Sequence, residues 1–162
     1  MAPRSNRAMN LLRLAAILAS AAFAALWALL PTADQKLDFS EDATAKLSEL
    51  RARTKYVDLP GTIYNGMRPE SSRVLAEEQL NRLIDCLLAR LPSQPSKKLV
   101  LAEFSRTMAE FESPDTEDRE QLLRYLEEIM DILRIASSDG LLNRWMYGPI
   151  LGPKVDRDYK KL

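Results

Sequence analysis

The chain has 162 residues with 23 basic and 23 acidic side chains, and setting aside Arg4, Arg7 and Arg13 near its start leaves 20 basic against 23 acidic groups, a net charge of −3. That balance lacks the basic face with which a nucleic-acid binder displaces phosphate counterions, so nucleic acid is not an expected partner. No histidine occurs, which removes Ser-His-Asp and Cys-His nucleophilic systems, His-ligated zinc and carboxylate-histidine di-iron sites together.

Residues 1–13 carry three arginines and no acid, and residues 14–30 are an unbroken run of 17 apolar or small residues. This pattern predicts an export segment over residues 1–33, either a cleaved signal peptide or a single-pass anchor. At about 1.5 Å per residue the run spans roughly 25 Å against a hydrocarbon core of about 30 Å, so its length does not separate the two. Ala22-Phe23-Ala24 and Ala33 are the candidate cleavage points, whereas Trp27 at the outer end and Arg13 at the inner end suit a retained helix that contacts membrane through residues 14–30. Either way the arginines precede the run and Asp34, Asp38, Glu41 and Asp42 follow it, which places the amino terminus inside. The domain of residues 34–148 is then outside the cytoplasm, periplasmic or anchored in the inner membrane.

Ser40 before Glu41-Asp42 predicts a helix running to about Thr54, with Ala43, Leu47 and Leu50 on a narrow apolar face and Asp42/Lys46 and Glu49/Arg53 as exposed pairs. Such a narrow stripe suggests a surface helix or a stalk. From Lys55 to Pro69 the periodicity disappears, and Pro60-Gly61 and Asn65-Gly66 mark two turns that bracket Thr62, Ile63 and Tyr64 as a tiny hairpin or an ordered loop. Tyr56, Ile63, Tyr64 and Met67 there are candidate partner contacts, the alternative being that they fold back on the core as a lid.

A long helix is predicted from Glu70 or Ser72 to Leu91, burying Leu80, Leu83, Ile84, Leu87, Leu88 and Leu91 and stopping before Pro92. Cys86, the single cysteine, lies on its apolar side and reads as a buried, inert thiol. The next helix ends near Glu112 and buries Val100, Leu101, Phe104, Met108 and Phe111. Asp115 caps the helix after it, Asp118 is placed to answer the cap, and Leu122, Leu126, Ile129 and Leu133 form its stripe, flanked by Leu123, Tyr125, Met130 and Ile132. That wide stripe predicts the central helix of the bundle, with the three helices after residue 70 as sequential antiparallel neighbours. Ser137-Ser138-Asp139-Gly140 turns into a short last helix carrying Leu141, Leu142, Trp145 and Met146, and residues 149–162 read as an irregular tail. No segment alternates with period two, so the fold class is all-α: a single compact bundle of four to five helices behind an amino-terminal hydrophobic segment.

The run Asp115-Thr116-Glu117-Asp118-Arg119-Glu120, then Tyr125, Glu127-Glu128-Ile129-Met130-Asp131, Ser137-Ser138-Asp139-Gly140-Leu141-Leu142-Asn143 and Trp145 to Gly148, resembles a bacterial family of small helical domains of unknown function. The resemblance covers about the last two thirds of the chain. It implies a helical domain and assigns no catalytic, cofactor or metal residue.

Carboxylates are the plentiful reactive groups. Glu127, Glu128 and Asp131 within one turn could serve a carboxylate-dependent hydrolase of envelope polysaccharide if two of them converged on a cleft; otherwise they are a solvated helix face. Asp115, Glu117, Asp118 and Glu120 lack the alternating ligands and central glycine of a calcium loop, and capping accounts for them. Trp145 and Tyr147 beside Asn143 and Arg144 form a second candidate contact patch, or close the end of the core. The sequence thus predicts no catalytic, cofactor or metal site. It points to a non-enzymatic envelope module that binds another protein or peptide, an immunity-type toxin inhibitor being one version.

Overall fold

The computed structural model describes residues 34–148, all within the unit that begins at Asp34; the predicted export segment and the carboxy-terminal tail lie outside them. Among the described residues there are helices and single β-bridges and no strand. The helices are α1 (Glu41–Ala52), α2 (Glu70–Arg90), α3 (Lys97–Glu110), α4 (Thr116–Ile132) and α5, residues 141–148. None of them is long and apolar enough to cross a membrane.

Local chemistry sets the helix starts. The Ser40 hydroxyl accepts from Ala43 N–H at 3.2 Å, Ser96 from Leu99 N–H at 3.1 Å and the Asp115 carboxylate from Glu117 N–H at 2.9 Å, each satisfying a donor that the first turn leaves unpaired. Ser96 is itself held by Asp34, whose other carboxylate oxygen accepts from Lys98 N–H at 2.9 Å. The entering chain is sewn to this corner by Leu37 N–H to the Pro95 carbonyl at 2.8 Å and Lys97 N–H to the Gln35 carbonyl at 3.0 Å, around a Lys36–Ser96 bridge. These donors hold the Asp34 carboxyl below its usual range, the Ser96 hydroxyl foremost.

One continuous core joins the elements. Leu47 and Leu50 of α1, Leu80, Leu83, Ile84 and Leu87 of α2, Val100 and Phe104 of α3, and Leu122, Leu126 and Ile129 of α4 are all buried, with Leu142 of α5 beneath the end. The neighbour relations differ from those expected: α2 packs beside α1 and α3, while α4 approaches α1 more closely than α3. The helix of residues 41–52 lies on the surface of the bundle as expected, with Ala43, Leu47 and Leu50 buried and its other residues exposed, while it packs beside two other helices. Its Arg53 bonds Glu128 at 2.6 Å, not Glu49, while Asp42–Lys46 pairs as expected at 2.8 Å. Leu88, Leu101 and Phe111 are half-buried, as is Cys86, so that thiol is not sealed in the core.

Candidate functional site

Between α1 and α2 the chain builds a small hairpin. Leu59 N–H donates to the Tyr64 carbonyl, Met67 N–H to the Tyr56 carbonyl, and Asp58 and Asn65 form a bridge. At its tip Thr62 N–H reaches the Leu59 carbonyl at 3.1 Å around Pro60-Gly61, with Gly61 at φ 84°: proline at the second and glycine at the third position define a type II turn. At the base Gly66 adopts φ 76°, and a Cβ there would lie 2.9 Å from the Asp58 nitrogen, so the close crossing of the two arms requires glycine.

The hairpin is fastened from beneath by polar contacts that are themselves buried. Tyr56 sits at φ 56°, a conformation costing a side-chain-bearing residue about 1–2 kcal/mol. It is held there because its N–H donates to the Tyr125 hydroxyl at 3.0 Å and its ring packs against Tyr125 and Phe111 at centroid distances of 5.2 and 6.1 Å. Tyr64 donates its hydroxyl to Asp118 at 2.9 Å, and Ser113 donates to the other oxygen of the same carboxylate at 2.9 Å. Asp118 is thus a buried anchor for the hairpin in the first turn of α4, where the helix dipole favours a negative charge, and not the reciprocal partner of the Asp115 cap. Burial and the neighbouring Asp118 raise the Tyr64 phenol above its ordinary value, so it stays a hydrogen-bond donor.

Lys55 is the least expected element. It is completely buried, and its ammonium donates to the carbonyls of Arg51 at 3.0 Å and Arg53 at 2.7 Å and to Asn81 Oδ1 at 2.8 Å, satisfying all three protons at the carboxy-terminal end of α1. Burial pulls its pKa below the ordinary lysine value, which the nearby Glu77 opposes. Glu77 also accepts from Lys55 N–H at 3.1 Å and pairs with Arg73, which in turn forks onto Glu70 and donates to the Lys55 carbonyl at 3.0 Å. A buried ammonium, two carboxylates and a guanidinium thereby weld the hairpin's first residues to α2.

Above this weld lies a cleft of about 610 Å³, walled by Tyr56, Val57, Met67 and Pro69 and edged by Asp58, Arg68 and Arg73. Asp58 and Arg68 have no hydrogen bond or ion pair among the described residues, whereas Arg73 is committed to the weld.

The candidate contact residues separate sharply. Tyr56, Tyr64 and Met67 are buried and belong to the core, so as surface contacts they are corrected: the loop folds back as a lid because it is tied to Tyr125 and Asp118. Ile63 stands 79% exposed at the hairpin tip. Trp145 is half-buried and closes the core: its indole N–H donates to the Met108 carbonyl at 3.0 Å, its ring meets Phe111 edge-on, and Arg119 lies 4.5 Å over it while donating to its carbonyl. Tyr147 is exposed, with 46% of its surface accessible. The acidic turn does not converge on a cleft. Glu127 and Asp131 face solvent and Glu128 is paired with Arg53, although partial burial and then Asp131 raise the Glu127 carboxyl. No group of acidic or cysteine side chains among the described residues is arranged to hold a metal ion.

Comparison with known proteins adds the following. A family model described as "Domain of unknown function (DUF4844)" matches residues 38–149. Among solved structures, a DUF3571 family protein from Acinetobacter baumannii AYE is similar, with a TM-score of 0.60 and 24% identity over 70% of this chain and 94% of that one, a likeness that concerns the fold. No curated protein matches the chain.

Proposed function

The chain belongs to the family of domains of unknown function whose model spans residues 38–149, and since that description carries no activity, we propose from the hairpin itself that the domain is a non-enzymatic module that binds another protein or a peptide of the bacterial envelope. The observation that carries the proposal is the contrast within one loop. Tyr56, Tyr64 and Met67 are buried, the two tyrosines bonded from below, yet Ile63 between them is 79% exposed. Anchoring of this kind fixes an apolar tip without leaving it to collapse, and a pre-ordered contact saves the entropy that a mobile loop would lose on binding. The adjoining cleft supplies the second half of such a surface: an apolar wall of Val57, Met67 and Pro69 with an acid, Asp58, and a base, Arg68, that make no hydrogen bond or ion pair among the described residues, Arg68 sensing Glu70 only through space, to orient an extended segment. The envelope is inferred from sequence, through Arg4, Arg7 and Arg13 ahead of the apolar run of residues 14–30. A hydrolytic role finds little support, since Glu127, Glu128 and Asp131 border no cleft described above.

The test is affinity capture from envelope extract with the full chain. Ile63→Asp and Arg68→Glu, both on exposed side chains, should lose the partners that wild type and Glu120→Ala retain. Capture of the same set by all four proteins would refute the hairpin as the contact. A captured partner that proves to be a cytotoxic protein, silenced by the domain, would favour the immunity-type version.

A further inference from the structure

A second concave surface lies on residues apart from the hairpin and its cleft. It is a groove of about 320 Å³ where the first half of α2 passes the end of α3, with Ala76 and the outer side of Phe111 as its floor. Leu75 stands on its lip, 65% exposed, and the adjacent Val74 is 37% exposed. Leu75 is the more telling of the two, because the core side of α2 is already filled by Leu80, Ile84 and Leu87 and nothing in the fold requires a leucine here. Arg82 lies seven residues beyond Leu75 on the same helix, about two turns along, and Glu110 and Glu112 stand across the groove. None of these three charges has an ion-pair or hydrogen-bond partner among the described residues.

We infer that this groove is the contact surface for a second copy of the same chain. The patch holds each feature together with its complement: a projecting leucine and an apolar floor to receive one, a free base on one wall and free acids on the other. Under a two-fold axis, Leu75 of each copy enters the other's groove and Arg82 of each faces Glu110 and Glu112 of the other, so every favourable contact occurs twice. A surface shaped only for a different protein has no need to carry both signs and both shapes at once.

Cross-linking of the full-length chain in envelope extract tests the inference. Light formaldehyde treatment should yield a band of twice the chain mass, and Leu75→Asp, which sets a charge where the apolar floor should receive a leucine, should abolish it. Arg82→Glu sets like charges against each other at two places and should lower the yield by about fivefold or more. Restoring opposite signs with Glu110→Arg and Glu112→Arg in the same chain should recover most of it. Absence of the double-mass band, a yield indifferent to Arg82→Glu, or a failure of the acidic reversals to restore it would each overturn the inference. So would cross-linking to a different polypeptide alone. Because all the altered side chains are exposed or half-buried, the fold should survive, and unchanged circular dichroism of the variants verifies that.

Discussion

Replacing Lys55 by methionine tests whether the buried ammonium is a cap or merely tolerated. Methionine keeps the apolar stem that packs in the core and removes only the charge and its three bonds of 2.7 to 3.0 Å. Each hydrogen bond to a charged group contributes about 1.5–3 kcal/mol, and the carbonyls of Arg51 and Arg53 at the end of α1 would lose their partner. Opposing this, the variant is relieved of burying an ion, which in proteins costs several kcal/mol. The balance gives a net loss of about 2–4 kcal/mol out of a total of about 5–15 kcal/mol for a small domain. Urea unfolding of residues 34–162, followed by circular dichroism, measures it. The pH dependence supplies an independent reading. Burial lowers the folded-state pKa from the ordinary 10.5, so between those two values the unfolded chain holds more protons and wild-type stability rises with pH. Lys55→Met should lose that slope. A variant as stable as wild type, or one that keeps the slope, would refute the assignment of the ammonium as the cap of α1.

The stripe of α4 predicts a loss of about 2–5 kcal/mol for Ile129→Ala or Leu126→Ala, both fully buried, against under about 0.5 kcal/mol for the exposed Glu120→Ala; equal losses at Glu120 and Ile129 in the same urea assay would show the helix rotated. Gly66→Ala must accept both φ 76° and a contact at 2.9 Å with main chain, so it should cost about 1–3 kcal/mol and broaden the amide resonances of the hairpin, whereas an unchanged melting temperature would contradict the crossing geometry. Asp34 has a folded pKa below its ordinary 3.8, so the stability it adds is present above that value and is lost as the pH falls through the lower one; Asp34→Asn should flatten the acid limb of a melting-temperature profile between pH 5 and about 2, and an unaltered limb would exclude its carboxylate as a stabilising grip on Ser96 and Lys98.

What could be read from the sequence was local. Ser40 and Asp115 were legible as caps because the donors they satisfy lie two or three residues away, and Pro60-Gly61 was legible as a turn because its chemistry is contained in the dipeptide, whereas Asn65-Gly66, expected as a second turn, lies in an arm of the hairpin, where Asn65 bridges Asp58. The membership of Leu126 and Ile129 in the core followed from the helical period. What stayed hidden depends on residues distant in sequence. Lys55 meets Asn81 across 26 positions and Tyr64 meets Asp118 across 54, so no spacing rule turns a lysine in a loop into a helix cap or an acid in a first turn into an anchor. The same distance effect left Tyr56, Tyr64 and Met67 undecided between contact surface and lid, since aromatic and sulfur-bearing side chains in a loop look alike whether they face out or in until the partner beneath them is known; their burial selects the lid. Arg53 chose Glu128, 75 residues away, over the nearer Glu49 because α4 packs on α1, a neighbour relation that short connections did not reveal.

The stitching of residues 34–37 onto the start of α3 has a mechanical consequence. Tension entering the folded unit at Asp34 is taken up first by the two main-chain bonds at Gln35 and Leu37 and by the carboxylate grip on Ser96 and Lys98. The hairpin joins the opposite end of α2, whose 21 residues at about 1.5 Å each set it about 30 Å away. A pull on the leading segment therefore peels the α2–α3 corner before it loads any bond at Tyr56 or Tyr64. A load on residues 34–37 thus leaves the bearing of the exposed isoleucine unchanged until that corner gives.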